Sequence, residues 1–211
     1  MTRPLLEHLS GDDQSAVGAR LLIVQSAFSS SACDGSDSSD YVSTMDENPE
    51  LNRQNLGVMV DDIRSDAGPG EATKRYNQAF IQTFRANAGQ MPNDLDKYPW
   101  MLLTTTGAKS GKLRTVPLMF FERDGRFFII ASKGGAVAHP AWYHNLVAHP
   151  HVTVEYGGIY DASPQTVTAV VLSGAERNDV FEWAAGLNAT FAGYQARTER
   201  PIPVVELVAT S

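Results

Sequence analysis

The stretch that decides the fold runs from Leu102 to Tyr156 and reads LLTTTGAKSGKLRTVPLMFFERDGRFFIIASKGGAVAHPAWYHNLVAHPHVTVEY. Its apolar runs are rich in β-branched and aromatic residues, which favour strands. They alternate with two polar loops, residues 107–114 and 132–135. Both loops set Lys or Arg beside glycine, an arrangement that can hold an anion through charge and exposed backbone N–H groups. We therefore interpret the remaining chain as the support of these two loops.

Charge is distributed unevenly along the 211 residues, whose formal net charge is −7. Residues 1–73 carry 13 acidic and 4 basic side chains, whereas residues 74–211 carry 11 and 13. The second part is mildly basic, and several of its cations belong to the two loops. A nucleic-acid surface would need a broader basic stripe, so no nucleic-acid partner is expected. A small anionic ligand suits this charge better.

Residues 1–70 differ in composition from the rest. The segment 29–40, SSSACDGSDSSD, is too polar to bury the apolar surface that ordering requires. We predict that residues 1–70 form a disordered extension, or are upstream sequence added by a mis-chosen start codon, and that residues 71–211 form one domain. No apolar run reaches the roughly 20 residues of a membrane helix. The expected location is the cytoplasm, either free or peripheral at the inner face of the plasma membrane.

The first regular element of the domain is a helix over residues 73–88. Aromatic residues recur at every fourth position, Tyr76, Phe80 and Phe84, which indicates one apolar face. Two roles remain open for this face. It packs on the domain, or it touches a membrane together with the neighbouring cations.

The following elements alternate between short strands and helices. Predicted strands cover residues 100–105, 115–121, 127–131, 152–156, 165–172 and 202–208, and predicted helices cover 140–149 and 176–197, with Gly186 and Gly193 as weak points. Pro117 indicates an edge strand or a kink, and Asp124-Gly125 is a strong hairpin signal. Short strands joined by hairpins predict a mainly β fold, a small antiparallel barrel with flanking helices.

Familiar nucleotide and metal motifs are absent from the sequence. The first loop fails the triphosphate-loop pattern, because Thr106 and Leu113 stand where Gly and Ser or Thr are required. Four of the five histidines lie between residues 139 and 151, and no acidic residue lies among them. We therefore predict no metal site.

Eight short segments together closely resemble the actinobacterial family of deazaflavin (coenzyme F420)-dependent nitroreductases and quinone reductases. They are LTTTG at 103–107, KSG at 109–111, Arg114, Pro117, ASKGG at 131–135, HPAWYHNL at 139–146, VTV at 152–154 and RPIPV at 200–204. The resemblance covers about residues 76–208. It implies a split β-barrel, like that of FMN-binding proteins, which binds coenzyme F420 with its acidic tail.

The resemblance also implies the residues of the site. The tail would be held at Ala108, Lys109, Ser110, Arg114 and Lys133. The cofactor would be lined by Thr115, Val116, Pro117, Leu118, Met119, Phe120, Ile130, Ala131, Ser132 and Lys133, and closed in by Ala141, Trp142, Tyr143, His144 and Asn145. Phe191 and Tyr194 would face the substrate. Two positions depart from the family pattern, since Ala108 replaces a frequent Arg and Phe191 replaces a Tyr found in some members.

The implied activity is transfer of a hydride from reduced F420 to an electron-poor acceptor, a quinone or a nitroaromatic compound. Tyr194 would donate a proton or position the acceptor, and Ser132 would hydrogen-bond the cofactor ring. Two alternatives stay open. One is an FMN-dependent oxidoreductase on the same barrel, and the other is a non-enzymatic protein that binds deazaflavin or lipid. The sequence does not define the oligomeric state.

Overall fold

A computed structural model describes residues 50–52, 55–56, 62–64 and 69–210. Between residues 69 and 210 the helices are α1 (Glu71–Ala86), α2 (Ala141–Ala148), α3 (Gly174–Leu187) and α4 (Thr190–Gln195), with 3-10 turns at Asn93–Lys97 and Lys133–Gly135. The strands are β1 (Trp100–Thr106), β2 (Leu113–Met119), β3 (Phe121–Arg123), β4 (Arg126–Ile130), β5 (His151–Tyr156), β6 (Gln165–Val171) and β7 (Val204–Ala209). In this part of the chain, no helix has the length and apolarity to cross a membrane.

The strands form one antiparallel sheet in the order β2-β1-β5-β6-β7-β4-β3. β2 and β3 stand at opposite edges of this sheet, yet only Phe120 separates them in the chain. The sheet must therefore curl until its edges approach each other. This confirms the predicted split barrel, with mainly β structure and flanking helices. The predicted strand 115–121 is really two strands, since the chain leaves one edge at Met119 and joins the other at Phe121.

Alternation along β1 separates the inside of the barrel from the outside. Met101 and Leu103 point into an inner cluster that also contains Trp142 and Leu146 of α2. Trp100 and Leu102 point outward. α2 thus covers the inner face, and burial of apolar side chains on both faces of β1 fixes its register.

α1 packs on the outer face of β1. Its aromatic residues Tyr76, Phe80 and Phe84 are at most 1% exposed, and the ring of Phe80 meets that of Trp100 edge-on at 5.0 Å. The packed role predicted for this helix is therefore confirmed. Its aromatic face is not available to a membrane in this structure, so the predicted membrane contact would rest on exposed cations alone and stays a prediction.

α3 and α4 cover the opposite outer face, against β3, β4 and β7. The predicted single helix 176–197 is divided between them at Asn188 and Ala189. The chain leaves helical geometry at Asn188, whose φ is −141° and ψ is 98°, and the Asn188 side chain there accepts a hydrogen bond from the N–H of Thr190 at 3.1 Å. The predicted weak points Gly186 and Gly193 lie inside the two helices instead.

Part of the segment before α1 packs on the domain. Leu51 is 7% exposed and belongs to the apolar cluster between α1 and the outer face of β1, which we call the α1 cluster. The Tyr76 hydroxyl donates to the Asn52 carbonyl at 3.3 Å. The Asp62 carboxylate accepts hydrogen bonds from the Gly70 N–H at 2.8 Å and from the Thr73 hydroxyl. The predicted boundary at residue 70 stays a prediction, but these contacts lie before it. The Ser/Asp-rich segment 29–40 lies outside the described residues.

Candidate active site

The topology places both predicted loops at the same end of the sheet. β1 ends and β2 begins at the first loop, and β4 ends at the second. Because β1 pairs antiparallel with β5, β5 with β6, β6 with β7 and β7 with β4, the carboxyl ends of β1 and β4 lie at one end. We call it the loop end. The sequence alone suggested that the loops cooperate, and the antiparallel order provides the reason.

The first loop is closed by backbone hydrogen bonds. The N–H of Gly107 donates to the Lys112 carbonyl at 2.9 Å, and the N–H of Gly111 donates to the Gly107 carbonyl at 2.8 Å. A Cβ on Gly107 would lie 2.6 Å from the Ser110 hydroxyl oxygen, so a larger residue there would have to displace that side chain. The side chains of Lys109 and Lys112 are exposed to solvent.

Asn145 of α2 fastens this loop to β1. Its side-chain oxygen accepts the N–H of Ala108 at 3.0 Å, and its side-chain nitrogen donates to the Thr105 hydroxyl at 3.0 Å. Thr105 is 1% exposed, so the second hydrogen bond satisfies a buried polar group. The structure thus gives Asn145 a positioning contact with the first loop, and its predicted contact with the cofactor stays a prediction.

The second loop has an unusual backbone. Ser132 has right-handed helical angles, and Lys133, Gly134 and Gly135 all have positive φ, at +49°, +62° and +82°. A right-handed residue followed by a left-handed one turns successive N–H groups toward one concavity, which suits an anion. Lys133 adopts a conformation that is costly for a residue with a Cβ. The loop therefore combines a strained backbone with a cation.

α4 lies directly against the second loop. A Cβ on Gly135 would lie 2.6 Å from the Tyr194 carbonyl oxygen, so the helix and the loop are in backbone contact. Tyr194 is half-buried, and its ring lies 5.9 Å from that of Phe191. Phe191 is 8% exposed and packs on Phe121 at 5.4 Å. Tyr194 is thus beside the loop, whereas Phe191 mainly packs the core, and their substrate contacts stay predictions.

The aromatic residues predicted to close in the cofactor are divided between core and surface. Trp142 is 8% exposed and belongs to the inner cluster, Tyr143 is half-buried, and His144 is exposed. The ring of Tyr143 lies 4.7 Å from that of His139. Burial lowers the pKa of His139, and the nearby charges of Arg200 and His144 lower it further. His139 is therefore biased toward its neutral form.

The strand residues predicted to line the cofactor do not share one face. Val116, Leu118, Phe120 and Ala131 belong to or pack on the inner cluster. Met119 packs on the α1 cluster, and Ile130 packs in the cluster under α3 and α4. Neighbouring residues of a strand point to opposite faces, so the side chains of Met119 and Ile130 lie on outer faces, and their predicted contact with the cofactor stays a prediction. Pro117 pairs with outward-facing Leu102 and shares its side.

Arg200 is the residue whose contacts the sequence did not indicate. Its guanidinium donates to the Ser132 carbonyl at 2.8 Å and to the Ala136 carbonyl at 2.9 Å. In the sequence, Arg200 is notable only because it is a charged residue at the start of the otherwise apolar segment RPIPV. Because its acceptors are backbone atoms, no side-chain pattern could have identified them.

A depression of about 700 Å³ lies elsewhere, between α3 and α4. Its single cation, Arg177, donates to the Ile202 carbonyl at 2.9 Å and to the Gln195 side chain at 3.1 Å. Two carboxylates, Glu182 and Glu199, line the same depression. These charges do not suit an anion, so we place the candidate site at the loop end, where the cations are.

Comparison with known proteins shows the family of the chain. Residues 73–209 match the family model of F420H(2)-dependent quinone reductases. The chain belongs to the F420H(2)-dependent quinone reductase family. The chain is 40% identical over 114 residues to the F420H(2)-dependent quinone reductase Rv1261c of Mycobacterium tuberculosis. The aligned region covers 52% of this chain and 72% of the relative. A solved F420-H2 dependent reductase is 43% identical, with 52% of this chain and 93% of that one covered and a TM-score of 0.46.

This family member is an oxidoreductase whose cofactor is reduced coenzyme F420, as the sequence predicted. The site residues fit that group. No carboxylate of the described residues forms an ion pair with Lys109, Arg114 or Lys133, whereas Arg85, Arg123 and Arg126 are paired elsewhere on the domain. Cations without an internal partner, beside a backbone concavity, are what an acidic cofactor tail requires.

Proposed function

We propose that this enzyme uses reduced F420 to reduce a quinone, with the cofactor tail held across the loop end of the barrel. One observation carries the proposal. Lys109 and Arg114 on the first loop and Lys133 on the second stand at the same end of the barrel without an acidic partner among the described residues. Charges of one sign gathered at one place attract an anionic ligand and raise its local concentration.

The spread of these cations favours a long anion over a compact one. The first loop joins β1 to β2 and the second follows β4, so the cations are carried on two different loops of the curled sheet. A single phosphate, such as that of FMN, would be held within one turn or nest. Two separated cationic loops suit a phosphate followed by several carboxylates. This supports F420 over FMN.

When bound, reduced F420 supplies a hydride to the acceptor. A quinone that receives the hydride also takes up a proton and becomes a hydroquinone, so the balance needs a proton donor. Tyr194 is the proposed donor, or the group that positions the acceptor, because it is half-buried beside the second loop. Ser132, at the start of that loop, is proposed to hydrogen-bond the cofactor ring. The inner cluster under α2 would exclude water from the reacting atoms.

The surroundings of the loops favour an apolar acceptor. Leu113 in the first loop is 70% exposed and Val137, just after the second, is 82% exposed. Isolated exposed apolar residues are ordinary on a surface, but two of them beside the same cationic loops are consistent with an apolar molecule approaching there. A quinone is such a molecule, and a nitroaromatic compound is the comparison to test.

Binding and turnover test the proposal in sequence. F420 and FMN are titrated separately into the protein, and the absorbance of reduced F420 is then followed with a soluble naphthoquinone, with a nitroaromatic compound and with no acceptor. We expect tight F420 binding, weak FMN binding and acceptor-dependent oxidation that is fastest with the quinone. Preferential binding of FMN would overturn the cofactor assignment. F420 binding without oxidation by either acceptor would favour a non-enzymatic binding role.

A further inference from the structure

The guanidinium of Arg200 holds the second loop from both sides. Its Nη2 donates to the Ser132 carbonyl at 2.8 Å, and its Nε donates to the Ala136 carbonyl at 2.9 Å. These two carbonyls flank the left-handed run of Lys133, Gly134 and Gly135. A single side chain from beyond α4 therefore fixes the beginning and the end of the strained segment.

Arg200 also fixes the residue that leads into α2. Its Nη1 lies 3.1 Å from Nδ1 of His139. A guanidinium has only donors, so Nδ1 must accept this hydrogen bond and carry no proton. Burial and the charge of Arg200 both lower the pKa of His139, in the direction this contact requires. One planar group thus sets the geometry of the loop and the tautomer of the histidine after it.

A backbone like that of the second loop needs such support. Left-handed angles in a residue with a Cβ persist only where the surroundings enforce them. The planar guanidinium spreads five N–H donors over three nitrogens and can reach acceptors on different sides at once, whereas the lysine ammonium offers three donors from a single nitrogen. We propose that Arg200 is a positioning residue that preorganises the cofactor-binding loop 132–136 without touching the cofactor. The expected effect of Arg200 on F420 binding rests on the proposed function. The expected effect on the backbone of the loop does not.

Arg177 provides a matched control in the same region. It is also a half-buried arginine whose Nε donates to a backbone carbonyl, that of Ile202 at 2.9 Å. Its guanidinium lies 4.4 Å from the centre of the Phe181 ring. Within the described residues, its hydrogen bonds reach Ile202, Gln195 and Asn178, not the second loop. Gln195 also donates to the Arg200 carbonyl at 2.9 Å. Arg177→Gln therefore shows what loosening the backbone of this segment does while the side-chain contacts of Arg200 remain.

The experiment compares wild type, Arg200→Gln, Arg200→Lys and Arg177→Gln. Amide hydrogen exchange is measured without cofactor at Gly135 and Ala136, whose N–H groups donate to the Ser132 and Lys133 carbonyls. F420 affinity is then measured by titration. We expect Arg200→Gln to speed exchange of these amides by about tenfold or more and to weaken F420 binding by roughly 10- to 100-fold. Arg200→Lys should fall between, and it serves as the test if the glutamine variant does not fold.

Each outcome decides the proposal. Fast loop exchange and weak F420 binding in the Arg200 variants alone support it. Fast exchange in a protein whose wild type binds no F420 keeps the loop role and overturns the proposed function instead. Unchanged exchange in both Arg200 variants overturns the positioning role. Equal effects of Arg177→Gln on exchange and affinity also overturn it, because the effect would then be general destabilisation.

Discussion

Gly135 and Tyr194 are in such close contact that no side chain fits between them. A Cβ on Gly135 would lie 2.6 Å from the Tyr194 carbonyl oxygen, and the φ of Gly135 is +82°. Gly135→Ala would therefore combine backbone strain with a clash against a helix. We expect it to destabilise the domain by about 2–4 kcal/mol and to weaken F420 binding. Denaturant unfolding and cofactor titration measure these effects.

Gly111 offers the matched control for this substitution. Its φ is +64°, and nothing lies within 4 Å of a Cβ built on it. Gly111→Ala should therefore cost only the strain, about 1–2 kcal/mol. If both alanine variants lost the same stability, the contact between the second loop and α4 would not be a tight one.

The loop cations should control cofactor affinity. Arg114→Ala and Lys133→Ala each remove one charge-assisted contact, worth about 1.5–3 kcal/mol, so F420 should bind roughly 10- to 100-fold more weakly. Raised salt should shrink the difference from wild type, because exposed charges are screened. Titrations at low and high ionic strength measure both effects.

Lys97→Ala is the control for the loss of one positive charge. Lys97 is exposed and precedes β1, at the opposite end of the sheet from the loops. It should change F420 affinity by less than about twofold, since long-range effects of an exposed charge are screened. Wild-type affinity in both loop variants at low salt would show that the cofactor tail lies elsewhere.

The contact of Asn145 with the first loop should be measurable in the same way. Asn145→Ala removes the acceptor of the Ala108 N–H and the donor to Thr105. Because Thr105 is buried, we expect a stability loss of about 1–3 kcal/mol and weaker F420 binding as the first loop loosens. Asn178→Ala is the control, since Asn178 is an exposed amide on α3 whose oxygen accepts from Arg177 at 3.1 Å. Equal losses in both variants would contradict a specific anchor.

Much of the fold could be predicted because apolar periodicity records it. The uninterrupted apolar run from Trp100 to Leu103 indicates a strand buried on both faces, and the recurrence of aromatic residues at every fourth position from Tyr76 indicates α1. Such patterns arise because the burial of apolar side chains is the main stabilising contribution to folding, and the geometry of a helix or strand decides which side chains are buried.

The rest depends on contacts that periodicity does not record. Arg200 reaches backbone carbonyls more than 60 residues away in the chain, and any sequence between them would offer the same acceptors. The division of strand 115–121 follows from the closure of the barrel, which is a property of the whole sheet. Strand periodicity alone would have placed the side chains of Leu118 and Met119 on opposite faces, whereas the resemblance assigned both residues to the cofactor.

The segment before α1 should contribute stability through Leu51. This side chain is 7% exposed within the α1 cluster, so Leu51→Ala should cost about 2–5 kcal/mol. Deleting residues 1–49, which include the Ser/Asp-rich segment, should leave the melting temperature within a few degrees of wild type, whereas deleting residues 1–70 should lower it further. Thermal unfolding of the three variants measures this. Leu113→Ala is the control, because Leu113 is 70% exposed.

An equal melting temperature after both deletions would contradict this role. It would mean that Leu51 and the Asp62 carboxylate at the start of α1 contribute nothing in solution. The boundary predicted at residue 70 would then be the right one. A large loss from deleting residues 1–49 alone would instead contradict the predicted disordered extension.

Tyr194→Phe tests whether the hydroxyl takes part in the reaction. The substitution keeps the ring, and with it the packing on Phe191 at 5.9 Å, and removes only the O–H. A general acid contributes about 10²–10⁴-fold to rate, so we expect kcat with a quinone to fall at least tenfold while F420 affinity stays near that of wild type. Stopped-flow oxidation of reduced F420 measures this.

The pattern of kinetic change separates the roles open to Tyr194. A lower kcat with unchanged KM assigns the hydroxyl to proton donation, since an interaction made only in the transition state has been lost. A higher KM with unchanged kcat assigns it to positioning the acceptor. Unchanged values of both would place Tyr194 outside the site. Arg197, whose guanidinium lies 5.9 Å from the Tyr194 ring, would then be the next residue on α4's side of the loop end to replace.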